Sequence, residues 1–96
     1  MSEFKNKMIL DIRDDDKDWY KERLLITTEK KGECLIWTGE KDPAGYGKFR
    51  YKGKGIRVHR LSYILYKGKI SEGLIIRHMC HNKSCINPNH LFIQIY

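Results

Sequence analysis

Apolar positions along this 96-residue chain change their period repeatedly, and each change marks an element. "RDDDKDWYKERLLITTEKKGE" places acidic residues ahead of an amphipathic run. It predicts a helix with Asp14, Asp15 or Asp16 at the N-cap, a stripe of Trp19, Leu24 and Leu25, and Gly32 as the stop. "CLIWT" is a continuous apolar run, as a short buried strand shows, and "DPAG" signals a turn. Alternation comes next. In "YGKFRYK", Tyr46, Lys48, Arg50 and Lys52 point one way and Phe49 and Tyr51 the other. After the "KGKG" turn, Ile56 and Val58 oppose Arg57 and His59. The pattern predicts a β-hairpin over 45–59 with one apolar and one cationic face. Leu61, Ile64 and Leu65 return to helical spacing up to Gly68. "ISEG" turns the chain, "LIIRH" is a buried strand, and "LFIQIY" is a short apolar strand or the start of a helix. Residues 1–12 are a loose start or a short strand around "MILDI".

Composition adds limits. With 41% apolar and 32% charged residues, the chain is globular and has room for one modest core. No run of about 18 apolar residues exists to span a membrane, and "MSEFKNKMILDIRDDD" is too charged for a secretory signal. An intracellular protein is expected, in a compartment where disulfides are rare. The net charge of +7 is uneven. Residues 1–33 carry eight Lys/Arg and nine Asp/Glu; residues 34–96 carry eleven and three. The second part has the footprint of a surface that meets polyanions, although a basic surface also serves solubility. The expected division is a charged helical segment over 1–33 and a basic domain over 34–96.

Candidate chemistry concentrates in "HMCHNKSCINPNHL" at 78–91. Four residues separate Cys80 from Cys85, four separate Cys85 from His90, and Asn87-Pro88 shapes the turn that brings His90 back. Thiolates with an imidazole are the donors zinc prefers. Cys34 is the remaining cysteine, and a set of Cys34, Cys80, Cys85 and His90 would use all three thiols and staple the middle of the chain to its end. The plainer alternative, buried thiols and a surface histidine, leaves the odd cysteine count unexplained. The acidic run at 14–16 reads as a helix N-terminus rather than a divalent-ion site. His81 is expected to be solvated, and His59 to pack or to touch phosphate. His78 stands two residues before a ligand in a site that is full without it. Either it is a packed core histidine, or it is a rigid imidazole placed to act as a base.

"RHMCHNKSCINPNHL" resembles the active-site and zinc loop of the His-Cys box homing endonucleases, a group of the ββα-metal nucleases, also called His-Me finger or HNH nucleases. "CLIWTG", "GYGKFR" and "VHRLSYILYKGKISEGLIIRH" resemble small HNH proteins of phages and other mobile elements. The likeness covers about residues 34–91. It implies an α+β fold, a small zinc-stabilised ββα-metal domain, with structural Zn2+ on Cys34, Cys80, Cys85 and His90. It implies His78 as the general base that activates water, with separate Mg2+ or Mn2+ stabilising the phosphorane-like charge. Arg50, Arg57 or Arg60 would supply the cationic help of such sites. Two positions depart from the family pattern. The helix that presents an Asn or His to Mg2+ would fall just beyond Tyr96, so this C-terminal helix is expected to be short or missing. Arg77 stands where phage relatives often carry an acidic residue.

The function this implies is hydrolysis of DNA phosphodiesters. The cationic ribbon would lie in the major groove, with Lys48, Arg50, Lys52, Lys54 and Arg57 on phosphates or guanine edges. A double-strand cut would need two copies, hence a homodimer. The alternatives are a catalytically inactive zinc-dependent DNA-binding module, and a protein-interaction regulator that makes contact through 1–33.

Overall fold

The computed structural model describes residues 12–71 and 73–95. The strand expected around "MILDI" lies outside them except for Ile12, which is buried.

Helix α1 spans Asp14–Ile26. Its three leading Asp residues occupy the first turn, and the N-cap is Arg13, with no side-chain cap bond. The acids therefore act on the exposed N–H groups and the dipole of the first turn instead of capping it. The expected stripe is also different. Leu24 is 1% exposed, whereas Trp19 and Leu25 are 51% and 52% exposed. At about 3.6 residues per turn, five residues carry Trp19 well away from Leu24, and adjacent positions cannot share a narrow face. The inward face is instead Lys17, Tyr20, Lys21 and Leu24, each partly or fully buried.

The helix stops at Ile26, not at Gly32. Thr27 and Thr28 turn their hydroxyls back onto the carbonyls of Arg23 and Leu25, which competes with continued helix. Strands β1 (Thr28–Lys31) and β2 (Cys34–Trp37) then pair antiparallel, from Thr28 opposite Trp37 to Lys31 opposite Cys34. Gly32, at φ 60°, sits in the turn between them, so the boundary at 33/34 falls inside a hairpin.

Trp37, 3% exposed, organises the turn at residues 38–47. Its Nε1 donates to the Glu40 carbonyl at 3.0 Å. Its ring lies against Gly39 and Gly47, where a Cβ would stand 2.9 Å and 2.6 Å from ring atoms. The glycines of "WTG" and "GYG" are thus required by close approach. Gly47→Ala is expected to destabilise the protein by about 1–3 kcal/mol through overpacking, read as a lower urea midpoint at constant slope.

Strands β3 (Lys48–Tyr51) and β4 (Lys54–Arg57) form the expected hairpin. Lys52 and Gly53 make its two-residue turn at φ 51° and 82°, the positive pair that a type I′ turn requires. Tyr51 and Ile56 are buried while Arg50 and Lys54 are exposed. The strand ends earlier than expected, at Arg57. Val58, whose N–H donates to the Gly47 carbonyl at 2.9 Å, opens helix α2 (Val58–Lys67), and Gly68 closes it at φ 118°. The change of period turns His59 inward, to 5% exposure, instead of onto the cationic face.

Strands β5 (Leu74–His78) and β6 (Leu91–Ile95) pair antiparallel and bracket the cysteine-rich loop. "LFIQI" is therefore strand. The described residues form a small mixed α+β unit of two helices and three two-stranded ladders. Leu24, Trp37, Ile56, Val58, Leu61 and Ile86 make up most of its buried core. Among the described residues no helix is long and apolar enough to cross a membrane.

Candidate functional site

The loop between β5 and β6 is held by backbone bonds before its side chains do anything. Trp37 N–H donates to Ser84 O and Ile86 N–H to Leu35 O, both at 2.8 Å, so residues 84–86 lie along β2 and Ile36 bridges Cys85. Ser62 Oγ fastens the same stretch to α2 by donating to Ile86 O at 2.7 Å. Two asparagines complete the turns. Asn82 Oδ1 accepts from Ser84 N–H. Asn87 Oδ1 accepts from Asn89 N–H to cap the 3-10 turn Pro88–His90, and its Nδ2 donates at 2.7 Å to the carbonyl of Glu33, next to Cys34. Met79 N–H donates to His90 O at 2.7 Å and closes the loop.

These constraints bring the donor atoms of Cys34, Cys80, Cys85 and His90 within 4.8 Å of one another. His90 Nδ1 lies 3.7 Å from Cys34 Sγ and 3.5 Å from Cys85 Sγ. A tetrahedral zinc ion with ordinary bond lengths separates its sulfur and nitrogen ligands by about 3.6 Å. Burial pushes the Cys34 thiol up to about 12, and hydrogen bonds with Cys85 and Cys80 add to the effect. The Cys34 thiol therefore resists ionisation unless a cation compensates it. Donor type and spacing both fit, and the four side chains can hold a metal ion such as zinc.

His78 ends β5, paired with Leu91 across the ladder and half-buried. Burial holds its imidazole below the usual histidine range, against a hydrogen bond to the backbone of Cys85. Its Nε2 is buried without a protein partner, so the bond to Cys85 is made by Nδ1, which leaves Nε2 the basic nitrogen.

His78 has company. The His59 ring lies 4.8 Å from it, and Tyr46 stacks 5.1 Å from His59 and 6.0 Å from His78, centre to centre. One nitrogen of His59 is bonded to the backbone of Ile76, while its Nδ1 is buried without a partner. Burial pushes His59 down to about 3, with the nearby His78, Arg57 and Arg60 acting in the same direction.

A cationic edge adjoins the rings. The Arg57 guanidinium lies 4.1 Å from the centre of the Tyr46 ring, and its Nε donates to Asp42 Oδ2 at 3.0 Å. Lys83 Nζ stands 5.3 Å from the same ring and donates to Ala44 O. Asp42 Oδ1 accepts from the N–H groups of Ala44 and Tyr46, so one carboxylate shapes the turn and orients the arginine. Arg60 is partly buried in α2. Of the other basic ribbon residues, Lys48 and Arg50 both face Glu40, at 3.4 and 3.5 Å. Lys52 lies over the Tyr51 ring, and Lys54 is exposed. Arg77 is exposed and donates to Gln94. His81 is exposed at φ 59°.

The ring cluster escapes a reading of the sequence. Alternation places Tyr46 with the cations and leaves His59 between packing and phosphate contact. The available signal was "VHR" at a strand-to-helix junction, where the side-chain period changes and outward positions turn inward.

Residues 57–93 match the sequence model of a family described as HNH endonuclease. Protein 7.7 of Escherichia phage T7 is 36% identical over 59 residues, which are 62% of this chain and 45% of that protein. The chain thus spans less than half the length of that relative. No solved structure matches.

Proposed function

We propose that the protein hydrolyses DNA phosphodiester bonds, a reading supported by the match of residues 57–93 to the sequence model of a family described as HNH endonuclease. The observation that carries the proposal is His78: its Nε2 is buried and unshared, beside a bond to Cys85 that occupies the other side of the ring. A general base needs this arrangement, one nitrogen fixed and the other free to take a proton from water. The resulting hydroxide attacks phosphorus and expels the 3′ oxygen. Mg2+ or Mn2+, when bound, supplies charge stabilisation for the phosphorane-like state and the leaving oxygen.

Arg57 fits a supporting role, because Asp42 engages its Nε and leaves the two terminal amino groups for phosphate. Arg60 is the second cation of this kind. Lys48, Arg50, Lys52 and Lys54 would track the DNA backbone and position the scissile bond. In this reading Cys34, Cys80, Cys85 and His90 carry a structural Zn2+, since all four positions of the ion are taken by protein. Residues 34–96 form the DNA-handling part, and two copies would pair to cut both strands. A phage relative fits a virus-encoded, intracellular protein.

Incubation of supercoiled plasmid with the protein and Mg2+ is expected to give relaxed circles, and none when EDTA replaces Mg2+. Absence of relaxation would reject the nuclease reading. A salt titration of DNA binding then separates the alternatives. A loss of roughly three decades between 50 and 200 mM salt, as for about six phosphate contacts, would identify a DNA-binding module. A shallow dependence would point to a protein-interaction role.

A further inference from the structure

We propose that His59 is a positioning residue for His78, and that together with Tyr46 it forms an aromatic wall that keeps the His78 ring in the single orientation with Nε2 free. The consequence for turnover rests on the nuclease reading; the orientation does not.

Three observations carry the proposal. The first is the cost of the residue itself. His59 is 5% exposed and leaves Nδ1 without a partner, an arrangement that penalises a buried polar group. If the position only needed filling, an apolar side chain would fill it at lower cost, as Val58, Leu61 and Leu65 do elsewhere on α2. The second is where its other nitrogen goes. It bonds to the backbone of Ile76, two residues before His78 on the same strand. Helix α2 is thereby tied to the end of β5 through the ring that lies against His78. The third is the contact between the rings. His59 and Tyr46 lie 4.8 and 6.0 Å from His78, at interplanar angles of 34° and 30°.

A flat ring among flat neighbours has a restricted torsion about its last side-chain bond. A half-turn of His78 would put Cδ2 in the place of Nδ1 and Cε1 in the place of Nε2, break the bond to Cys85 that fixes the tautomer, and move the basic nitrogen out of its place. A single net hydrogen bond, such as the one to Cys85, does not by itself exclude the flipped ring by a wide margin. The stacked wall adds the rest. His59 suits the task because burial keeps it neutral, so it places no charge beside the base.

The test reads the tautomer of His78 by long-range 15N–1H correlation in the metal-loaded full-length protein. Wild type is expected to show one sharp Nδ1–H tautomer. His59→Leu removes the ring and the bond to Ile76, and is expected to move the two His78 nitrogen shifts toward their average. His59→Phe restores a flat ring and is expected to recover most of the wild-type pattern. Tyr46→Leu removes the other ring that contacts His78 and does not depend on His59→Leu folding. An unchanged His78 tautomer in folded, metal-loaded His59→Leu, or in Tyr46→Leu should the former not fold, overturns the proposal. In the plasmid assay His59→Leu is expected to lower kcat by about tenfold to a hundredfold with KM unchanged. A wild type that does not nick refutes the nuclease reading, while the tautomer result still decides the role of His59.

Discussion

Cys34→Ala is expected to abolish the cooperative thermal transition of the protein, and a strong chelator is expected to do the same to the wild type. Structural zinc contributes apparent binding free energies of about 10–16 kcal/mol in small domains, against a total stability of about 5–15 kcal/mol for typical folded proteins. A 96-residue chain has room for a modest core only, and its described residues form three short ladders. Cys34 is the most informative of the four clustered donors because it alone comes from outside the 78–91 loop. Without it, Cys80, Cys85 and His90 could still gather locally, but the loop would be held to β2 only by backbone bonds. Circular dichroism melting with parallel metal analysis measures the effect. A Cys34→Ala variant that melts at the wild-type temperature would remove the metal from the account of this fold.

His78→Ala is expected to lower plasmid nicking by about a hundredfold to ten-thousandfold, the usual worth of a positioned general base. It should leave melting temperature and metal content near wild type, because His78 is not among the four clustered donors. That combination separates a base from a ligand: loss of a ligand would remove metal and fold together, as at Cys34. Equal nicking by the variant and the wild type would exclude His78 from the chemistry and assign any activity to a contaminant or another site.

The metal cluster was legible in the sequence because its donors are chemically distinctive and three of them are local. The assignment of Cys34 came from arithmetic, since the third thiol had one sensible use. The hairpin over 48–57 was legible for a related reason: strict alternation and a Lys-Gly turn leave few alternatives. Helix α1 was less so. Its buried residues include lysines, whose long stems cover apolar surface while the charge stays in water, so Lys17 and Lys21 do not announce themselves as inward-facing. "TTEKK" continues a helical composition, yet pairing with Cys34–Trp37 decides its conformation. The ring cluster was hidden for a geometric reason. Tyr46, His59 and His78 come from a turn, a helix start and a strand end, and no one-dimensional period relates them.

The contact of Ile36 with Cys85 has a kinetic side. The strand pairs within 28–37 and within 48–57 join near neighbours, so those ladders can arise locally and early. The stretch 84–86 must instead find β2 across 49 intervening steps of chain, at a closure entropy of about 3.5 kcal/mol for that span. Nothing is repaid until the ends meet. The return of the distal loop is thus the longest closure among these strand pairings, and a thiol already carrying an ion would turn random encounter into capture.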